Sequence, residues 1–141
     1  MAEFTAVAAQ TVTANNNVLF SETPITGGRC ITHREGSGLV TLRGLTTGQC
    51  RARYRVFFGG NISIPTGGTV GEISMAIAIN GERIPSTTMT VTPRAVENPF
   101  NVARSVFVDV PAGCCLQVSA KNISTTAITV ANANLIVERV A

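Results

Sequence analysis

The stretch Arg51-Ala52-Arg53-Tyr54-Arg55-Val56-Phe57-Phe58 decides the fold. Ala52, Tyr54, Val56 and Phe58 alternate with Arg51, Arg53, Arg55 and Phe57, and a period of two is what an extended strand sorts onto two faces. The first row predicts a core-facing side; the second predicts an outward side bearing three arginines. Glu72 to Ile79 repeats the pattern, with Ile73, Met75, Ile77 and Ile79 in one row and Glu72, Ser74, Ala76 and Ala78 in the other. The small second row suits close packing against a neighbour. Asn80-Gly81 follows at once, and this dipeptide tolerates the positive φ angles of a type I′ turn, so a hairpin into Glu82 to Ile84 is expected.

Working outward, further strands are expected at Cys30 to His33, Leu39 to Arg43, Val102 to Val110, Cys115 to Lys121, Ala127 to Val130 and Leu135 to Val140, with a weaker one near Val18 to Ser21. Turn residues recur every eight to twelve residues, the spacing of an all-β sandwich or barrel, and helical periodicity is absent. Ile128 and Val130 share one row while Leu135 and Val137 fall on the other, which predicts a bulge or turn at Asn132 to Asn134 and two separate strands around it. Pro85 to Phe100 reads as a long connection with one short strand at Met89 to Val91. Gly59-Gly60 and Gly67-Gly68 precede no helix, so they read as hinge points of a β connection rather than as a phosphate cradle. Residues 1–17, small and rich in Thr, Ala and Asn, read as a flexible arm ahead of one domain at 18–141.

Composition narrows the function. The 141 residues make one domain, and 45% are hydrophobic against only 13% charged, about half the share usual in soluble domains, where it is roughly 25%. A surface so sparse in charge is expected to hide part of itself in an interface. No apolar run reaches the roughly 18 residues needed to span a bilayer. The first residues carry no basic region and no apolar core of signal-peptide length, so no secretory export is expected. Of eleven basic residues all but Lys121 are arginine, the bias of interfaces rather than of open surface. Cys30, Cys50, Cys114 and Cys115 form no metal-binding pattern; they read as buried small apolar residues, a Cys30 to Cys50 disulfide being the alternative.

No catalytic or cofactor-binding set emerges. His33 is the only histidine, and His33-Arg34-Glu35 reads as a strand end followed by a turn. The eight acidic residues are scattered and offer no carboxylate pair. Asn61-Ile62-Ser63 and Asn122-Ile123-Ser124 fit the glycosylation sequon, but without an export signal they carry no weight. One feature stands above scaffold: Arg29, Arg34, Arg43, Arg51, Arg53 and Arg55, opposed locally only by Glu35. They call for an anionic docking partner or internal pairing, or they are a solvated sheet face. Nucleic acid is the weaker partner, since there is no tryptophan and Tyr54 points inward.

The order of segments resembles the trimeric jelly roll of tumour necrosis factor, of complement-type globular heads and of the heads of collagen-like spore-surface proteins. The matching pieces are Asn17-Val18-Leu19-Phe20, Ile31-Thr32-His33, Gly38 to Leu42, Arg53 to Phe57, Ala76 to Gly81, Val108 to Cys114 and Ala133 to Arg139, with Cys114 where the family pattern has aspartate. No Gly-X-Y repeat is present, so the chain is a head without a stalk. The run Cys30 to Leu45 is similar to small stalkless proteins of phages and prophages of gut Firmicutes. The resemblance implies a homotrimer that decorates a virion surface, docked on a major capsid or other virion protein. Ala76, Ala78, Phe107, Leu135 and Val137 are the expected trimer contacts, and the arm and the arginines the expected shell contacts. The rival reading is a glycan- or receptor-binding head of a fibre or cell surface, using loops such as Pro85 to Phe100.

Overall fold

The computed structural model describes residues 1–27, 30–44, 51–111 and 115–140, the Arg51 side chain aside. The strands are β1 (Ala2–Ala6), β2 (Gln10–Val12), β3 (Glu22–Ile25), β4 (Ile31–His33), β5 (Val40–Arg43), β6 (Arg51–Ser63), β7 (Ile73–Ile79), β8 (Glu82–Arg83), β9 (Met89–Val91), β10 (Phe100–Pro111), β11 (Cys115–Asn122) and β12 (Ile128–Arg139). A 3-10 turn, Pro85–Thr87, stands between β8 and β9. The first sheet runs β10-β6-β12-β1-β3, with β2 also on β12; the second runs β4-β5-β11-β7-β8, with β9 also on β7. Every described pairing is antiparallel. Two sheets facing each other over one apolar core, with strands distant in sequence as neighbours, make a jelly-roll β-sandwich.

Period-two patterning places the core as expected. Ala52, Tyr54, Val56 and Phe58 of β6 are fully buried, and they meet Leu42, Met75 and Ile77 of the opposite sheet in one cluster. Asn80 (φ 51°) and Gly81 (φ 86°) both take positive φ between β7 and β8, as the type I′ hairpin requires. Asn80 is pinned as well: its Oδ1 accepts the Gln117 N–H at 3.0 Å.

Three expectations are corrected. First, residues 1–17 are not an arm. Ala2 to Ala6 pair with β12 from Ala2↔Val137 to Ala6↔Ala133, and Ala2, Phe4, Ala6 and Val12 are buried. Alanine and threonine carry too little hydrophobicity to advertise this strand, yet small inward residues fit where the two sheets close on each other. Second, Gly59-Gly60 is strand rather than hinge, for β6 continues to Ser63. A Cβ on Gly59 would stand 3.2 Å from Asn134 Oδ1 and from the Phe57 ring, so glycine here serves close strand approach. Third, the phase change after Val130 is a bulge inside one continuous strand. The β6–β12 register shifts between Ala131 and Asn134, Asn132 takes φ 51°, and inward residues switch from Val130 to Ala133, Leu135 and Val137. Val18 and Phe20 are buried without being a regular strand; the neighbouring strand is β3.

One buried polar side chain is satisfied on both its donor and its acceptor side. Fully buried Asn122 donates from Nδ2 to Val12 O (2.9 Å) and Thr126 O (3.0 Å) and accepts the Ser124 N–H at Oδ1 (2.9 Å). It thereby ties β2 to the end of β11, and its amide is closed to glycosylation in the folded chain.

Candidate interaction face

Register fixes which side chains stand together on the outside of the first sheet. Phe107 of β10, Arg55 of β6 and Glu138 of β12 form one row. Ser105, Phe57, Ile136, Glu3 and Ile25 form the next, across β10, β6, β12, β1 and β3. Ala103, Gly59, Asn134 and Thr5 follow, then Asn101 and Asn61. Phe107 is 64% exposed and Ile25 42%, with Phe57 and Ile136 half-buried between them. A large apolar side chain exposed singly is ordinary; a row of them across a sheet marks a contact surface.

The two arginines of this face are matched in place, and Glu3, in the second row, accepts from Asn134 Nδ2 at 3.2 Å. Arg53 and Asp109 are cross-strand partners, with Nε donating to Oδ1 at 2.8 Å and a second Nη donating to Oδ2 at 3.2 Å. The hydrogen bond and charge of Asp109 hold the Arg53 guanidinium above its usual range. Arg55 stands opposite Glu138 with Nη1 3.7 Å from Oε1. Arg53, Phe107 and Asp109 line an open cleft of about 310 Å³. On the far side an amide ladder links three strands: Asn101 Nδ2 donates to Asn61 Oδ1 and Asn61 Nδ2 to Asn132 Oδ1, each at 3.2 Å.

The six arginines read as one docking set are thus divided. Arg53 and Arg55 belong to this face and are paired internally, whereas Arg34 and Arg43 lie beside the second sheet. Arg29 and the Arg51 side chain lie outside the described residues. The expected trimer contacts divide too. Of the five, only Phe107 is exposed. Leu135 and Val137 belong to the chain's own core, because the Asn132 bulge turns them inward, and Ala76 and Ala78, on the second sheet, are fully covered within one chain. Phe57, Ile136 and Ile25, and the partners Asp109 and Glu138, were missed. Their signal was available: Phe57 is the apolar member of the arginine row, and Asp109 and Glu138 are the outward residues of Val108-Asp109-Val110 and Val137-Glu138.

Chemistry elsewhere is structural. His33 ends β4, its Nε2 2.8 Å from Ser37 O and its ring packed on Phe4 and Phe20 at centroid distances of 4.6 and 6.4 Å. Cys30 is half-buried, but Cys115 is exposed, contrary to the buried reading; Cys50 and Cys114 lie outside the described residues. Among the described residues, no group of three His, Cys, Asp or Glu side chains could hold a metal ion.

An all-β jelly-roll sandwich with a partly apolar sheet face is the class this architecture defines. Among solved structures the chain is similar to the globular domain of a zebrafish complement 1qA protein, with a TM-score of 0.53 at 9% identity over 96% of this chain and 94% of that one. Weaker superpositions are with the sugar-binding EclA C-terminal domain (TM-score 0.42, 11% identity, 94% and 79% covered) and a family 35 carbohydrate binding module from an environmental isolate (0.37, 12%, 100% and 98%). At such identities the likeness to the complement head speaks for the fold alone. No protein-family model and no curated protein sequence matches the chain.

Proposed function

We propose that this domain is a non-enzymatic structural module that works by associating with copies of itself, three around an axis, through the outer face of the first sheet. One observation carries the reading: the patch of Phe107, Phe57, Ile136 and Ile25 beside charges already neutralised in place by Asp109 and Glu138. A face whose arginines are already paired, and whose Glu3 carboxylate is held by the Asn134 amide, can meet its own copy at its apolar residues, and burying them removes apolar area from water at about 25 cal/mol per Å². Threefold symmetry and a place on the surface of a phage particle come from the sequence resemblance; the geometry supports the self-association. The test is light scattering on size-exclusion fractions of the chain and of Phe107→Glu. A trimer that Phe107→Glu converts to a folded monomer is expected. A native chain that is monomeric at all concentrations overturns the reading and leaves a lone binding module.

A further inference from the structure

The outer face of the second sheet is built on the opposite principle. Thr32, Thr41 and Gln117 form one row across β4, β5 and β11, Ser119, Ala78 and Arg83 another, and Lys121 and Ala76 a third, with the small Ser119, Ala76 and Ala78 covered and the long polar side chains outermost. Arg43, opposite Cys115, continues the same face. Arg34 lines a cleft of about 380 Å³ with Thr41 and Gln117, and Arg83 and Lys121 line another of about 500 Å³ with Glu82. Four cations therefore border this face. The described ion pairs lie on the other sheet, and Lys121 Nζ donates to a carbonyl, Gly81 O, at 2.9 Å. The carboxylates interspersed here are Glu35 and Glu82, with Glu72 at the head of the Ser74, Ala76 and Ala78 row.

We propose that this face docks onto a carboxylate-bearing surface of a partner protein, with Arg34, Arg43, Arg83 and Lys121 as the contacts. Three features select that partner. Arginine and carboxylate match in a two-point geometry. Six residues along β11 and the four strand spacings from β4 to β8 spread the cations over about 20 by 19 Å, the span of a protein surface rather than of a single phosphate. A nucleic acid duplex presents a charge every 1.7 Å or so, far denser than these cations, and the exposed rings that could stack on bases, Phe100 and Phe107, belong to β10 of the first sheet. Exposed charges are screened over a Debye length of about 8 Å at physiological salt, so the binding falls as salt rises.

The proposal does not depend on self-association, because it uses the other face of the sandwich. The probe is fluorescein-labelled poly-L-glutamate followed by anisotropy, against the native chain and against Phe107→Glu, with circular dichroism confirming that each variant is folded. Saturable, salt-sensitive binding is expected, with R34S/R43S/R83S/K121S weakening it about tenfold or more, and R94S/R104S, which removes two exposed arginines elsewhere, changing it less than about twofold. Absence of binding at low salt, or equal weakening by the two variants, overturns the assignment. Tighter binding of a labelled duplex of matched charge than of poly-L-glutamate overturns the protein partner in favour of nucleic acid.

Discussion

Tyr54 offers the sharpest test of the core. It is the only tyrosine and there is no tryptophan, so phenolate absorbance reports this one hydroxyl. The side chain is fully buried and its OH donates to Arg43 O at 2.6 Å. Burial first, and the neighbouring Cys30 second, push its pKa up from 10.0 to about 12. A phenol whose folded pKa is raised contributes stability that is fully present below the unfolded value and is lost as pH climbs through the folded value. Two pKa units correspond to about 3 kcal/mol, a large share of the 5–15 kcal/mol typical of a domain. Urea unfolding from neutral pH to about pH 12 is therefore expected to show native stability falling by about 2 kcal/mol more than that of Tyr54→Phe. At neutral pH Tyr54→Phe costs about 1–2 kcal/mol, because Arg43 O loses its donor. A phenolate signal rising near pH 10 while the chain is still folded, or equal alkaline slopes for the two proteins, refutes the argument.

Other expectations follow from single contacts. Deleting residues 1–17 removes Phe4, Ala2, Ala6 and Val12 from the core, and since losing one buried phenylalanine costs about 3–5 kcal/mol, the truncated chain is expected to lose its cooperative thermal transition; retention of that transition would restore the arm. Asn122→Ala leaves the Val12 and Thr126 carbonyls without their donor and is expected to cost about 2–4 kcal/mol in urea unfolding. Gly81→Ala forces a Cβ into φ 86° and is expected to lower stability by about 1 kcal/mol, with the fold unchanged by circular dichroism.

Strands were legible wherever one face was bulky and the other was not. In β6 and β7 the inward rows are mostly bulky, and the alternation gives β7 and the start of β6, which then runs on through the glycines to Ser63. β1 was illegible for the converse reason: its inward residues are alanine around a single phenylalanine, and its stability comes from β12, at the far end of the sequence. Where Asn134 Nδ2 donates to Glu3 Oε2, the two partners lie 131 positions apart. Alternation also says which residues share a face of one strand but not which strands share a sheet. That is why Arg34 and Arg43 were grouped with Arg53 and Arg55, when a sheet change between β5 and β6 sends the two pairs to opposite sides of the sandwich. The same gap hid the matched carboxylates, since Asp109 and Glu138 reach the arginines only through pairings of β10 and β12 with β6.

The pairing of Ala2 with Val137 brings the two ends of the described chain side by side. A short peptide joining them would close the chain into a ring without crossing the core, and new ends could then be opened in the turn at Gly67, where no side chain crowds the backbone. Such a circular permutant would keep both sheet faces intact while moving the points of genetic fusion to the opposite part of the connectivity.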